Sequence, residues 1–291
     1  GCKPAHPARR GPCPVFIPAC GMRDTGETIF EPMTMNKEKV CQAFGRAAAS
    51  YDIFGRFQRE VCERMLCLLP ERLPAGFRPS KLLDAGCGTG FGTECLKCFW
   101  PDAEITGCDL SQDMIEKMHE KGFSAVKGDL ENLPFDSERF DFVWCSLALQ
   151  WCDPAIVFPE LHRVLENNGL LYFTTPVPGT LAEIDFAFSG VDDSNRVLPF
   201  HTPEELGNHL RHAGFADIEL HTEKHVMYYP DFRSVIDSIR GVGAHQSVTK
   251  RQPLMGKTAW KTAAERYESY RDVSGLPVTY ELVYGFAVAK K

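Results

Sequence analysis

The spacing of apolar side chains along the chain predicts an α/β protein. From residue 36 to 69, apolar residues recur three or four positions apart, which is typical of amphipathic helices and predicts two of them before the first strand. Short apolar runs then alternate with helical patterns as far as residue 175. The predicted strands lie at residues 81–85, 103–108, 124–127, 140–145 and 169–174, with helices at 93–99, 111–121 and 154–165. This alternation is typical of a parallel sheet that is covered by helices on both faces.

After residue 175 the regular alternation of strands and helices ends. Helices are predicted at residues 181–191, 203–213, 231–240 and 258–271, and strands near 217–222 and at 278–289. We therefore predict one domain over residues 35–291. Its predicted parts are N-terminal helices at 36–69, a central core at 80–175, lid segments at 176–213 and 229–276, and closing strands at 215–223 and 278–289.

Residues 1–34 differ from the rest of the chain because they contain six prolines and no periodic apolar pattern. Prolines and charges interrupt the apolar runs, so a signal peptide, which needs about 7 to 15 consecutive apolar residues, is not predicted there. We interpret this segment as a disordered extension. No apolar run in the chain reaches the roughly 18 residues that cross a bilayer, and we predict no membrane segment.

Charge and cysteine content narrow the classes of partner and environment. The formal net charge is −7 and the lysines and arginines are scattered, whereas a nucleic-acid-binding face is basic, so no nucleic-acid partner is predicted. The 12 cysteines show no spacing typical of a disulfide framework. Cys95 and Cys98 form a Cys-x-x-Cys motif, but it has no second pair to complete a zinc site, and the histidines are not spaced as metal ligands. We therefore expect free thiols, a cytoplasmic protein and no bound metal.

The most informative local motif is the segment 82–90, with the sequence LLDAGCGTG, in which a buried strand runs into a glycine-rich turn and then a helix. Glycine permits positive φ angles and lets the backbone approach a ligand, and the helix N-terminus offers free N–H groups. Gly86, Gly88 and Gly90 are therefore candidate ligand-binding residues. The alternative is an ordinary tight turn between a strand and a helix.

Three acidic residues favour a bound ligand. Asp109 ends the second predicted strand nineteen residues after Gly90, close to where a Rossmann-like unit holds a ribose diol. Asp129 follows the third strand, where a carboxylate can accept a hydrogen bond from an adenine amino group, and its alternative role is that of a cap or turn residue. Asp84 in the glycine motif would repel a pyrophosphate and suits a cationic ligand that bears an amino group.

Together these motifs resemble the S-adenosylmethionine (SAM) fingerprint of class I methyltransferases rather than the fingerprint of dehydrogenases. The resemblance implies a Rossmann-like fold with a seven-stranded, mostly parallel sheet, a reversed last strand and an α-helical lid. It also implies SAM as the methyl donor. The residues that it implies at the cofactor are Asp84, Gly86, Gly88, Gly90, Asp109, Leu110, Asp129, Leu130 and Ser146.

Six further segments are similar to the malonyl-[acyl-carrier protein] O-methyltransferases of biotin synthesis. They lie at residues 43–52, 147–152, 179–183, 195–198, 238–244 and 276–280. The resemblance implies that a methyl group is transferred to the free carboxylate of malonyl-acyl carrier protein, giving a methyl ester for pimelate and biotin synthesis. It also implies that Tyr51 and Gln58 close over the cofactor, and we expect a monomer. One departure puts an amide role in doubt, because Cys145 and Ser146 replace the usual Ser-Asn pair.

The resemblance also implies what the substrate end requires. A carboxylate is already ionised at neutral pH, so we expect no catalytic base. Arg196 and Arg240, in the lid segments, are candidates to position it by bidentate pairing, and the alternative for each is a solvated surface residue. Gln150 and Trp151 follow the fourth strand and are expected to line the substrate pocket, although a core position explains Trp151 nearly as well.

Two other functions stay open on the residues alone. One is a small-molecule O- or C-methyltransferase that acts on a quinone precursor or a free carboxylic acid, for which we expect a closed pocket without a basic rim. The other is a non-catalytic SAM-binding protein, in which the donated methyl group would not face an open cavity.

Overall fold

The computed structural model describes residues 55–191, 197–241 and 257–291, without the side chains of residues 240, 241 and 257. The predicted extension at 1–34, Tyr51, Arg196 and the side chain of Arg240 therefore lie outside the described part of the chain. Within the described ranges, no helix is both long enough and apolar enough to span a bilayer.

Seven strands form one sheet, as the resemblance implied. The strands are β1 Lys81–Ala85, β2 Glu104–Asp109, β3 Ser124–Lys127, β4 Phe140–Ser146, β5 Leu165–Pro176, β6 Phe215–Tyr229 and β7 Leu276–Ala289. Their order across the sheet is β3-β2-β1-β4-β5-β7-β6. The first five strands are parallel, and β7 runs antiparallel to both β5 and β6. The predicted fold class is confirmed, including the reversed last strand.

Eight α-helices accompany the sheet within the described residues. They are α1 Arg56–Leu68, α2 Phe91–Phe99, α3 Gln112–Glu120, α4 Pro154–Val164, α5 Ala182–Phe188, α6 Pro203–His212, α7 Phe232–Gly241 and α8 Lys257–Tyr267. A short 3₁₀ helix, Leu149–Trp151, follows β4. Helix α6 begins with a capping box, because the Thr202 hydroxyl accepts from the Glu205 N–H and the Glu205 carboxylate accepts from the Thr202 N–H.

Strand β6 is much longer than the predicted segment at 217–222. It pairs with β7 from Phe215 opposite Ala289 to Tyr229 opposite Leu276, with one irregularity between Ala216 and Glu219, so one edge of the strand is hydrogen-bonded along most of its length. Many of its side chains are charged and partly exposed, and they obscure the apolar alternation from which a strand is predicted.

The core is divided between the two faces of the sheet, because successive side chains of a strand point to opposite sides. Leu82 and Trp144 belong to a buried cluster on one face, which α1, α2, α5, α7 and α8 cover. Leu83 and Val143 belong to a cluster on the other face, which α4 and α6 cover. The predicted parallel core with helices on both faces is therefore present, and its strands end at a common edge.

Helix α1 is fixed against the antiparallel end of the sheet. The Phe57 ring stacks on the Tyr280 ring with centroids 3.7 Å apart. The Arg64 guanidinium donates to both carboxylate oxygens of Glu223 on β6, at 2.8 and 2.6 Å. The Tyr172 hydroxyl on β5 donates to the backbone carbonyl of Met65 at 3.0 Å. These contacts leave another side of α1 to face the edge where β1 and β4 end.

Candidate functional site

The glycine-rich loop between β1 and α2 is held in a conformation that favours glycine. The φ angles of Gly86, Gly88 and Gly90 are +76°, +52° and +92°. The Gly86 N–H donates to the Cys108 carbonyl at 2.8 Å, which ties the loop to β2. A Cβ atom on Gly86 would lie only 2.4 Å from the Ala148 Cβ. Both the backbone conformation and the space around it therefore require glycine at residue 86.

The loop forms part of two adjoining depressions, which share Gly86, Gly88 and Ser146. The first, which we call the α1 side of the cleft, measures about 480 Å³ with its mouth. It is lined by the three shared residues and by Gly55, Gln58, Arg59, Cys62, Asp84, Cys87, Thr89, Phe91, Gly92 and Trp144. The second, the β2–β3 side, measures about 710 Å³ with its mouth. It adds Asp109, Leu110, Met114, Gly128, Asp129, Leu130, Leu147, Ala148, Trp151 and Cys152.

Asp84 is the acidic group of the α1 side. Its side chain is 2% exposed, and the Thr93 hydroxyl donates to its Oδ2 at 2.6 Å. Burial raises the pKa of this carboxyl to about 7, because burial disfavours the charged form by more than the hydrogen bond from Thr93 stabilises it. A nearby cation would favour the ionised form, so this carboxylate suits a positively charged group in the cleft.

Asp109 and Asp129 lie on the β2–β3 side. Asp109 accepts hydrogen bonds from the backbone N–H groups of Gly88, at 3.0 Å, and Ser111, at 2.9 Å. Burial raises the pKa of the Asp109 carboxyl despite these hydrogen bonds. Each carboxylate oxygen has two lone pairs, so acceptor sites are left over for a ligand. Asp129 accepts from the Glu131 N–H at 3.0 Å, so it acts as a turn residue and also lines the cleft.

Ser146 lies at the end of β4, where both sides of the cleft meet. Its hydroxyl accepts a hydrogen bond from the Cys62 thiol, with 3.4 Å between sulfur and oxygen. Burial raises the pKa of that thiol to about 12, so Cys62 stays neutral at pH 7. Cys145 is fully buried in the cluster on the other face of the sheet. Of the two residues in the Cys-Ser departure, Ser146 alone lines the cleft.

The two residues predicted at the substrate pocket are separated by the structure. Trp151 lines the β2–β3 side of the cleft. Gln150 instead lines a separate small depression between the end of β5, α4 and α6, together with Thr175 and Phe200. Its side-chain amide donates to the Leu147 carbonyl at 2.8 Å.

Sequence reasoning found Gln58 on α1 but missed the residues around it. Gly55, Gln58, Arg59 and Cys62 are spaced like one face of a helix, and all four line the α1 side. The buried Oε1 atom of Gln58 and the indole N–H of Trp144 have no hydrogen-bond partner among the described residues. Buried polar groups are normally paired, so an orphaned acceptor and an orphaned donor at one cleft fit a ligand that carries both kinds of group.

This set of groups fits SAM. The cofactor has a cationic amino group and a carboxylate at one end, and ribose hydroxyls and an adenine at the other. Carboxylates face the cleft on both sides, and glycines keep the floor between them open to close backbone approach.

Comparison with known proteins gives the same assignment. A family model for a methyltransferase domain matches residues 83–173, which include all the residues that line the two sides of the cleft except those on α1 and the preceding Gly55. The chain is 43% identical over 252 residues to the malonyl-[acyl-carrier protein] O-methyltransferase of Herminiimonas arsenicoxydans, covering 86% of this chain and 95% of that protein. It is 40% identical over 267 residues to the protein of the same name from Gallionella capsiferriformans, covering 87% of this chain and 91% of that protein.

Solved structures agree on the fold. A SAM-dependent methyltransferase from Thermotoga maritima superposes with a TM-score of 0.53 at 19% identity, covering 86% of this chain and 99% of that chain. Because the two curated relatives are matched over most of their length, the chain belongs to the malonyl-[acyl-carrier protein] O-methyltransferase family.

Proposed function

We propose that this protein transfers the methyl group of SAM to the free carboxylate of malonyl-[acyl-carrier protein], and that the methyl ester serves pimelate and biotin synthesis. The observation that carries the proposal is the 43% identity over 95% of a malonyl-[acyl-carrier protein] O-methyltransferase. The cleft supports it, because its groups fit the methyl donor and lie at the carboxyl ends of β1, β2 and β4. Ligands bind at this edge in open α/β sheets.

When bound, SAM supplies a methyl group made electrophilic by its sulfonium. Asp84 would accept a hydrogen bond from the cofactor's amino group, and Asp109 would accept from the ribose hydroxyls. Asp129 would accept from the adenine amino group, and Leu110 and Leu130 would pack against the adenine ring. Gly86 and Gly88 line the cleft and would let the backbone approach the ligand, Gly90 precedes the first turn of α2, and Ser146 lies where the two sides of the cleft meet.

The remaining task of the protein is to align the substrate carboxylate with the methyl group and to exclude water. A carboxylate with a pKa near 4 is ionised at pH 7, so the reaction needs no proton acceptor. Among the described residues that line the cleft there is no histidine, and the Cys62 thiol is neutral. Helix α1 covers one side of the cleft, which helps to keep water from the reacting atoms.

Recognition of the substrate is proposed to involve residues of the predicted lid segments. Arg196 and Arg240 are proposed to pair with the malonyl carboxylate, and Tyr51 to close over the cofactor. Trp151 is proposed to line the substrate pocket where it adjoins the adenosine, because Trp151 lies on the β2–β3 side with Asp109 and Asp129. Gln150 is proposed to contact the substrate from the neighbouring depression at the end of β5. We further propose a monomer in the cytoplasm, without a nucleic-acid or membrane partner.

Cofactor affinity is expected to depend on pH through Asp84. Only the ionised carboxylate pairs with the amino group, and its pKa of about 7 places the change near neutrality. We expect the affinity for S-adenosylhomocysteine to be steady above about pH 8 and to fall by up to about tenfold per unit well below pH 7. Calorimetric titrations from pH 5.5 to 8.5 measure this. The Asp84→Asn variant should bind S-adenosylhomocysteine more weakly, and its affinity should not change with pH in this range. Equal pH profiles for the wild type and the variant would contradict the role of Asp84 at the amino group.

The same pKa has the opposite effect on the stability of the unbound protein. Because folding raises the pKa of Asp84, the folded state holds the proton more tightly than the unfolded chain does. The contribution of this group to the free energy of unfolding therefore decreases as the pH rises from about 4, the ordinary carboxyl value, to about 7. Asp84→Asn should lack this decrease in denaturant titrations over the same pH range.

The substrate is tested with methyl-labelled SAM and three forms of the carrier protein, which bear malonyl, acetyl or succinyl thioesters. Label is expected on the malonyl form as a base-labile ester and not on the acetyl form, which lacks a free carboxylate. The succinyl form, one methylene longer, should react much more slowly if the carboxylate is held by a fixed cation. Label on none of the three would refute the substrate while leaving the cofactor assignment to be judged by binding. Label on a free carboxylic acid or a quinone precursor would favour a small-molecule methyltransferase.

A further inference from the structure

A cationic side chain lies on the same side of the cleft as Asp84. Arg59, next to Gln58 on α1, is half-buried and lines the α1 side. Its guanidinium carbon is 5.7 Å from the ring centre of Phe91, the first residue of α2. Among the described residues that line either side of the cleft, Arg59 is the one cationic side chain. No role for Arg59 follows from the glycine motif or from the acidic residues.

Trp144 gives a second, independent indication of an acceptor in the same place. Its side chain is fully buried on β4, and its indole N–H has no partner within the described chain. This group can only donate, so it calls for an acceptor. A Cβ atom on Gly92 would lie 3.2 Å from the indole nitrogen and 3.3 Å from Asp84 Oδ2, so both groups border Gly92 and a larger residue there would crowd them.

We propose that Arg59 and the indole N–H of Trp144 bind the α-carboxylate of SAM, while Asp84 and Gln58 bind its α-amino group. This inference rests on the proposed function, because it assumes that SAM is the ligand. The amino and carboxylate groups of the cofactor are attached to the same carbon atom, so the cation that binds the carboxylate must lie close to the acid that binds the amine. Arg59 and Asp84 meet this condition, since both line the α1 side.

The proposal is tested with two ligands that differ only in this carboxylate, SAM and decarboxylated SAM. The wild-type protein should bind SAM more tightly than the decarboxylated ligand. Arg59→Met keeps the length of the side chain but removes the charge, and it should weaken SAM binding by about 10- to 100-fold. Its affinity for decarboxylated SAM should be almost unchanged, so the preference between the two ligands should nearly vanish. Trp144→Phe removes the N–H and should reduce the same preference by a smaller factor.

Arg56→Met is the matched control. Arg56 lies three residues earlier on α1, its side chain is 73% exposed, and its guanidinium pairs with Glu60 at 2.7 Å. This variant should bind both ligands as the wild type does. Circular dichroism and thermal melting should show that each variant is folded, and Arg59→Met carries the test by itself if the buried Trp144→Phe variant is unstable.

Three results would overturn the inference. The first is an unchanged affinity of Arg59→Met for SAM. The second is an equal loss for both ligands, which would mean that Arg59 only holds α1 in place. The third is a raised KM for malonyl-carrier protein with unchanged SAM binding, which would assign Arg59 to the substrate. Failure of the wild-type protein to bind either ligand would instead refute the proposed cofactor.

Discussion

Replacing Asp109 with alanine is expected to weaken the binding of S-adenosylhomocysteine by roughly 1.5 to 3 kcal/mol for each ribose hydrogen bond that is lost. Two such bonds would amount to a loss of at least about 100-fold in affinity. The structure adds a further cost, because the Gly88 and Ser111 N–H groups would lose their shared acceptor, which removes one of the hydrogen bonds between the glycine loop and β2. Isothermal titration calorimetry measures the change.

The control for this variant is Asp113→Ala, which removes an exposed carboxylate from the first turn of α3. It should leave the affinity unchanged. A 2′-deoxy form of S-adenosylhomocysteine separates the ribose contact from damage to the loop. The wild-type protein should prefer the ribose form, and Asp109→Ala should not discriminate between the two. A variant that keeps the full preference would contradict the ribose role of Asp109.

Gly86→Ala is expected to weaken cofactor binding for a different reason. The φ angle of +76° is unfavourable for alanine by about 1 to 2 kcal/mol. The new methyl group would also meet the Ala148 Cβ at 2.4 Å, so the glycine loop or the segment after β4 must move. Overpacking of this kind costs about 1 to 3 kcal/mol. Both segments line the cleft, and we expect cofactor affinity to fall by at least about tenfold because the binding surface is displaced.

Gly76→Ala is a closely matched control for Gly86→Ala. Gly76 has the same φ angle of +76°, and nothing lies within 4 Å of the position of its added Cβ. Denaturant titrations of both variants should show the shared cost of the backbone conformation, and the difference between them should report the clash with Ala148. Gly76→Ala should bind the cofactor normally. If both variants lost the same stability and bound equally well, the close packing of the loop would be refuted.

The parts of the site that the sequence predicted are those set by short-range spacing. The glycine motif and Asp109 belong to one strand-helix-strand unit, in which the geometry of the turn and the length of the helix fix their relative positions. The apolar strand runs likewise predicted the ends of β1 and β4 to within about one residue, because both strands are largely buried and a buried strand has few ways to place such a run.

The parts that were missed depend on contacts between distant segments. Arg59 meets the cleft only because α1 packs across the ends of the sheet, and Trp144 meets it from β4; neither belongs to the glycine motif. Gln150 is adjacent to Trp151, yet the 3₁₀ turn after β4 directs the two side chains into different depressions. The order of residues in a sequence does not show how one short turn orients the side chains of two neighbouring residues.

The Cys-Ser pair at the end of β4 has a local explanation. Cys145 packs into the core, and Ser146 alone reaches the cleft, where it accepts a hydrogen bond from Cys62. An amide in place of Ser146 would extend further into the cleft than a hydroxyl does. The doubt about an amide role therefore concerns one side chain, and the carboxylates of Asp84 and Asp109 are independent of it.

The central claim is that the cleft binds SAM with its amino-acid end beside Asp84 and its adenosine beside Asp109. A crystal structure with bound S-adenosylhomocysteine measures this most directly. We predict ribose hydroxyls within hydrogen-bond distance of the Asp109 carboxylate, the amino group on the α1 side near Asp84, and the adenine between Leu110 and Leu130. A ligand bound in the reverse direction, or one that makes no contact with Asp109, would contradict the account.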